Sequence, residues 1–205
     1  MKNKGLIIGC GIAAVIGVII LSFVGWGVGV YNNLVTMNET VNQSWSQVEN
    51  QYQRRTDLVP NLVATVKGVA EFEKETFTAV TEARAGATSM KLTPEMLNDP
   101  RAVAKFQAMQ DNLSSALSRL LVTVENYPQL KANENFLQLQ SQLEGTENRI
   151  SVERMKFNTT VQEYNTTIKR FPGNIIASFS GFKEKYYFKA AEGSDKAPKV
   201  NFDFK

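Results

Sequence analysis

The stretch GLIIGCGIAAVIGVIILSFVGWGVGV, residues 5–30, contains no charged side chain. As an α-helix it would be about 39 Å long, whereas the hydrocarbon core of a bilayer is about 30 Å thick. The stretch is therefore long enough to span a membrane with some tilt. We predict that residues 1–30 form a short N-terminal stub and one transmembrane helix.

Small residues recur at every fourth position of this apolar stretch. They therefore share one face of the predicted helix, where another backbone can approach closely. They are Gly5, Gly9, Ala13 and Gly17, followed after Leu21 by Gly25 and Gly29. This pattern predicts a packing face within the membrane, and plain anchoring is the alternative interpretation.

Two other interpretations of the N-terminus compete with a retained anchor. A cleaved signal peptide has a shorter apolar core than residues 5–30. The segment Ile7-Ile8-Gly9-Cys10 is similar to a lipoprotein cleavage motif, but only residues 5–9 would then remain as its apolar core. We therefore favour a retained anchor, with Cys10 as a small membrane-facing residue.

Flanking charge predicts the orientation of the span. Lys2 and Lys4 precede it, and no lysine or arginine follows it until Arg54. The positive-inside rule then places the N-terminus in the cytoplasm and the rest of the chain on the other side.

Composition excludes several function classes. The 205 residues carry a net charge of +3, and two of those charges are Lys2 and Lys4. The remainder is nearly neutral, which argues against nucleic acid as a partner. There is no histidine, and Cys10 is the one cysteine, which excludes Ser-His-Asp and Cys-His catalysis and His/Cys metal clusters. We predict no catalytic residue, no metal and no cofactor, and a protein that is not an enzyme; a Ser-Lys or carboxylate enzyme is the alternative.

Heptad spacing of apolar residues predicts an all-α fold. In it, the transmembrane helix continues into a long-helix antiparallel bundle of three long helices plus a short C-terminal helix. The bundle domain covers residues 31–191, and residues 192–205 form a polar tail. The first helix is expected to reach Gly86–Ser89, with a kink near Pro60.

The later helices have clear boundaries in the sequence. The second begins at Thr93-Pro94 and stops at Pro128, with Pro100 delaying regular structure by a turn. The third contains a short internal repeat, Phe157-Asn158-Thr159-Thr160-Val161 and Tyr164-Asn165-Thr166-Thr167-Ile168, and ends at Pro172-Gly173; the fourth begins at Asn174. Aromatic and aliphatic residues recur in the third at intervals of seven, namely Phe136, Leu143, Ile150, Phe157, Tyr164 and Phe171.

Four charged residues fall on the apolar stripes: Arg55, Glu73, Glu147 and Arg154. We interpret them as ion pairs that fix the register of the helices. From the helical rise, Glu73 and Arg154 are expected to face each other.

Five aromatic residues lie close together near the C-terminus: Phe179, Phe182, Tyr186, Tyr187 and Phe188. Either they cap one end of the core, or they form an exposed contact surface for a partner, a second protomer or the membrane.

Long motifs of the chain resemble the LemA family from Tyr31 to Phe202. They are Tyr31-Asn32-Asn33-Leu34-Val35, Gln53-Arg54-Arg55-x-Asp57-Leu58-Val59-Pro60-Asn61, Glu82-Ala83-Arg84, Glu125-Asn126-Tyr127-Pro128, Leu143-Glu144-Gly145-Thr146-Glu147-Asn148-Arg149-Ile150 and Ala197-Pro198-x-Val200-x-Phe202. The resemblance implies one N-terminal membrane helix, a mostly α-helical bundle and a bacterial envelope protein without an established enzymatic activity. It also implies an association with membrane organisation.

The motif at residues 54–61 can be read physically. Arg54, Asp57 and Asn61 surround Pro60 in the sequence, and Asn61 is placed to satisfy backbone groups that the proline leaves open. We interpret the motif as a kink with a polar clamp, and a ligand site is the alternative.

Together these features predict a single-pass protein of the bacterial inner (cytoplasmic) membrane with its C-terminal domain outside the cytoplasm. We expect it to contact membrane lipid, to form a homo-oligomer and to scaffold or shape the membrane. The alternative is an adaptor for another envelope protein, such as a protease or a signalling component.

Overall fold

The structure is a computed structural model that describes residues 2–67 and 74–189, with side chains from Gly9 onward. The described residues are largely helical and contain no β-strand. The six α-helices are α1 (Lys2–Lys67), α2 (Lys74–Ser89), α3 (Pro100–Val124), α4 (Pro128–Lys131), α5 (Glu134–Lys169) and α6 (Gly173–Ser180), and a 3-10 helix covers Pro94–Asn98.

Helix α1 joins the apolar stretch to the rest of the protein without interruption. Among the described residues it is the one helix long and apolar enough to cross a membrane, and its most apolar window is not buried at all. Beyond the span, Leu34, Val41 and Val48 are buried at heptad spacing. The predicted continuation of the membrane helix into the first helix of the body is therefore confirmed.

The prediction that the first helix reaches Gly86–Ser89 is wrong. The Nε atom of Arg84 on α2 lies 2.9 Å from the main-chain oxygen of Thr56 on α1, whereas a continuous helix would separate these residues by about 42 Å. Helix α2 therefore runs back along the last part of α1. The apolar rows of α1 and α2 face the same core, so the spacing of their apolar residues resembles that of a single long helix.

Helices α3 and α5 begin with side-chain caps. Asp99 accepts a hydrogen bond from the N–H of Arg101 at 2.9 Å, so α3 starts after the 3-10 helix, as Pro100 predicted. Asn133 accepts from the N–H of Phe136 at 3.1 Å. These caps satisfy donors that the first turn of a helix leaves open.

The heptad residues of α5 are buried from Phe136 to Tyr164. Phe171 is the exception, because it follows the end of α5 and its side chain is 78% exposed. The expectation that Phe171 extends the buried row is therefore wrong.

Helix α5 packs along α1, α2 packs on α3, and α6 contacts both α1 and α5. Because Arg55 of α1 contacts Glu147 of α5 while Tyr164 lies with Leu34 in the core nearer the span, α1 and α5 are antiparallel. Helix α6 ends at Ser180 and is capped by Gly181, whose positive φ of 76° suits glycine. After it, residues 182–189 form an extended segment that contacts α5 and α3.

Candidate functional site

The interior contains two apolar clusters with a polar layer between them. The cluster nearer the span is aromatic: the ring of Trp45 lies 5.5 Å from that of Phe106 and 5.9 Å from those of Phe157 and Phe188. The farther cluster is mainly aliphatic and includes Val59. Between the members of the two clusters, three helices contribute polar residues that meet one another: Arg55 on α1, Gln110 on α3 and Glu147 on α5.

Arg55 is the centre of this layer and is only 1% exposed. Its Nη1 donates to Ser114 Oγ at 2.6 Å and to Glu147 Oε1 at 2.9 Å. Its Nη2 donates to the main-chain oxygen of Gln110 at 3.2 Å and to the Oε1 of that side chain at 2.5 Å. One guanidinium therefore joins α1, α3 and α5.

Gln110 extends the polar layer to α2. Its Nε2 donates to the main-chain oxygen of Ala87 on α2 at 3.1 Å. A buried charge is stable only when it is paired and hydrogen-bonded. These contacts therefore favour one axial register of the packed helices. The charged row predicted Arg55 and Glu147 as members of such a layer, while Gln110 and Ser114 had no charge to draw attention to them.

The motif around Pro60 is linked to α2. Proline has no N–H to donate to the carbonyl four residues earlier, which is that of Thr56, and Arg84 Nε donates to this carbonyl. The donor is therefore Arg84, and not Asn61 as expected; Asn61 is exposed. The spacing of Thr56 and Pro60 was visible in the sequence, but the position of Arg84 depends on the reversal after α1.

The other members of that motif lie at the surface. Arg54 and Asp57 are both exposed, and Asp57 Oδ1 accepts a hydrogen bond from Gln53 Nε2 at 2.9 Å. Pro60 itself lies inside α1. Among the described contacts, these residues do not converge on one pocket.

The predicted partner of Arg154, Glu73, lies outside the described residues. Among the described residues, Arg154 places its Nη1 4.0 Å from Asp111 Oδ1 and donates from Nη2 to the main-chain oxygen of Lys189 at 2.8 Å. Its guanidinium carbon also lies 4.8 Å from the ring centroid of Phe188. Arg154 thus holds the extended segment against α5.

Three amide side chains form hydrogen bonds with the main chain of this extended segment. Asn165 donates to the oxygen and accepts from the N–H of Lys185, at 2.8 and 3.0 Å. Asn158 does the same with Phe188, at 2.9 Å in both directions. Gln107 of α3 pairs likewise with Lys189, at 2.9 and 3.1 Å. The two asparagines occupy equivalent positions of the internal repeat, which was the signal for them in the sequence.

The five C-terminal aromatic residues do not form one surface. Phe188 is buried beside Trp45, while Phe182 and Tyr186 are half-buried against the same core. Tyr187 and Phe179 are exposed. Phe188 therefore belongs to the core and not to a contact surface.

The small-residue face of α1 is uncovered. A Cβ atom added at Gly9, Gly17, Gly25 or Gly29 would meet nothing within 4 Å, and Ala13 is exposed. Gly5 lies in α1, before the first described side chain. This part of the chain therefore leaves room for another backbone.

Burial shifts two titrations near the segment. It raises the pKa of Tyr164, whose hydroxyl donates to the oxygen of Lys183, to about 12. It lowers the pKa of Lys185, and the carboxylates of Glu95 and Glu39 partly oppose this. The described residues contain no group of three or more His, Cys, Asp or Glu side chains able to hold a metal ion.

A helical body joined by an unbroken helix to one apolar segment defines a membrane-associated helical protein. The chain belongs to the LemA family, whose model matches residues 44–202.

Curated relatives are similar to most of the chain. Magnetosome protein MamQ 1 and MamQ 2 of Paramagnetospirillum magneticum are each 28% identical over an alignment of 181 residues that covers 80% of this chain and 66% of the relative. The chain thus spans just under two thirds of the length of those relatives. Protein LemA of Metamycoplasma hominis is 22% identical over 165 residues, covering 80% of this chain and 71% of that protein.

Proposed function

We propose that this protein is a non-enzymatic, single-pass envelope membrane protein that self-associates and thereby scaffolds or shapes the membrane. The observation that carries the proposal is the uncovered small-residue face of α1, between Gly9 and Gly29, on a helix that continues unbroken into the body. Small residues on one face let two membrane helices pack closely. A contact there would also set the spacing of two bodies, because span and body share one helix.

The polar layer supports this role by making the body stiff. Arg55 links α1 to α3 and α5 by hydrogen bonds, so the axial position of α1 relative to the other helices is fixed. If the contact between neighbouring α1 helices is heterologous, each copy can engage two others and the assembly extends along the membrane. If the contact is isologous, it closes as a dimer.

The proposed location is the inner membrane of a bacterial cell, with the N-terminus in the cytoplasm. Lys2 and Lys4 support this orientation. The proposed partners are membrane lipid and further copies of the chain. The names of the MamQ relatives, which are magnetosome proteins, support a role at a membrane-bounded structure.

The number of copies in the assembly of the full-length protein tests the proposal. The protein should be purified in a mild detergent, returned to lipid nanodiscs of increasing diameter and sized by light scattering. Scaffolding predicts species larger than a dimer that grow with the area of the disc. A monomer or a simple dimer in all discs would contradict scaffolding and favour an adaptor for another envelope protein.

A further inference from the structure

Helix α6 lies beside the outer end of the apolar stretch. A Cβ atom on Gly27 would be 3.9 Å from Ile176 Cδ1 of α6, and the ring of Phe182, just after α6, lies 5.9 Å from that of Tyr31. Gly27 belongs to the uncharged residues 5–30, whereas Tyr31 directly follows them. Helix α6 therefore sits at the level where the apolar stretch ends.

Helix α6 has a buried face and an exposed apolar row, with the polar residues Asn174 and Ser178 exposed beside that row. One face packs inward through Gly173 and Ala177, which are buried. On the other face, Ile175 is 46% exposed and Phe179 is 88% exposed. Phe171 lies before α6, on the N-terminal side of the cap residue Pro172, and is 78% exposed. Residues four apart share a helix face, so Ile175 and Phe179 form an exposed apolar row that points away from the protein.

The length of the span places this row at a lipid interface. The apolar stretch is about 39 Å long, and the hydrocarbon core needs only about 30 Å. The excess of about six residues leaves Gly27 near the boundary between acyl chains and headgroups, where interfacial helices bury an apolar face roughly 5–10 Å deep. Trp26, an amphipathic residue typical of this depth, is exposed beside it.

We infer that α6 and Phe171 form a second membrane contact, in which Phe171, Ile175 and Phe179 insert into the leaflet next to the body. The occupant of this face is the lipid bilayer itself, because α6 packs through Ile176 beside the outer end of the proposed membrane-spanning stretch. The contact would brace the body against the membrane surface and limit the tilt of α1 relative to it. This inference requires that α1 spans a membrane and does not depend on self-association.

Lipid quenching of a local probe tests the inference. In a Cys10→Ala background, Phe179→Cys is labelled with an environment-sensitive fluorophore, and the full chain is reconstituted at low protein density in phosphatidylcholine and phosphatidylglycerol vesicles. Val122→Cys is the matched control, because Val122 is also apolar and 65% exposed but lies near the end of α3, between Leu120 and Val124 of the cluster farther from the span. Near-ultraviolet circular dichroism of both variants checks that the aromatic core is retained.

Lipids carrying a nitroxide near the headgroup provide the readout. We expect the probe at residue 179 to lose about half or more of its emission, because a face buried roughly 5–10 Å into the interface is within reach of the nitroxide. The probe at residue 122 should keep its emission. Equal, weak quenching at both positions would overturn the inference. A blue-shifted but unquenched probe at residue 179 would also overturn it, since protein rather than lipid would then cover the face.

Discussion

The Nε atom of Arg84 on α2 donates a hydrogen bond to the main-chain oxygen of Thr56 on α1, 2.9 Å away. Pro60 follows Thr56 by four residues and has no N–H for this carbonyl. Arg84 therefore supplies the donor that α1 lacks, at the point where α2 runs back along it. Pro60 and Arg84 together therefore link α1 to α2.

Replacing this donor should destabilise the protein. We expect Arg84→Met to lower the free energy of unfolding by about 1–3 kcal/mol, because a carbonyl on a buried residue loses its partner. In a Pro60→Ala background, Arg84→Met should cost about 1 kcal/mol less, since residue 60 then donates its own N–H. Denaturant unfolding of the full chain in detergent measures both changes.

The exposed Arg54 offers a matched control for this cycle. Arg54→Met should change the free energy of unfolding by no more than about 0.5 kcal/mol in either background. If Arg84→Met costs the same with and without Pro60, the hydrogen bond does not compensate for the proline.

The pair formed by Arg55 and Glu147 gives a second prediction. Glu147→Leu leaves the buried Arg55 without a counter-charge, which costs about 3–5 kcal/mol for a fully buried pair. Because the Glu147 side chain is 38% exposed, water compensates in part, and we expect a loss of about 2–3 kcal/mol. Glu144→Leu, at an exposed position on the same helix, should cost less than about 0.5 kcal/mol. Similar losses for the two variants in denaturant unfolding would mean that the pair does not stabilise the protein.

The asparagines of the internal repeat should control the extended segment. Asn165→Ala removes two hydrogen bonds to Lys185, each worth about 1 kcal/mol. We expect hydrogen exchange at the amide of Lys185 to accelerate by about tenfold or more. Thr159→Ala, a change at an exposed residue of the same repeat, should leave that exchange rate unchanged. Unaltered exchange in Asn165→Ala would show that other contacts hold the segment.

Tyr164 should make stability depend on alkaline pH. Burial raises its pKa from 10.0 to about 12, so the unfolded chain releases the proton first and the folded state loses stability as pH rises through this range. Tyr164→Phe removes this dependence. The stability advantage of the wild type over the variant should be complete below about pH 10 and decline by up to about 2–3 kcal/mol towards pH 12. Parallel stability curves for the two proteins would contradict the burial of the phenol.

Apolar spacing predicted α1 and the buried row of α5, because a buried helix face requires apolar residues at regular intervals in the sequence. It missed the reversal after Lys67, since Val66 and Val80 fall on one heptad row and both are buried. One long helix and two antiparallel arms give the same spacing when both arms face one core. The identity of each arm's neighbours followed only from contacts such as that of Arg84 with Thr56.

The polar contacts were harder to predict than the apolar rows. Charge on a buried stripe drew attention to Arg55 and Glu147, but their pairing depends on the order of the arms. Asn158 and Asn165 stood out as a repeat, yet their partners are main-chain atoms at least 20 residues away. Main-chain groups have no residue signature, so no pattern in the sequence could identify them.

The proposed assembly is tested most directly by leucine substitutions on the small-residue face. The variant Gly9→Leu/Gly17→Leu fills two positions of the open face of α1, while Gly11→Leu adds the same side chain on another face of the same helix. Light scattering of the full-length variants in lipid nanodiscs measures the size of the assembly. We expect the double variant to associate at least about tenfold more weakly, a change of about 1.4 kcal/mol, and Gly11→Leu to assemble as the wild type does. An unchanged assembly size in the double variant would contradict self-association through this face and leave α1 as a plain anchor.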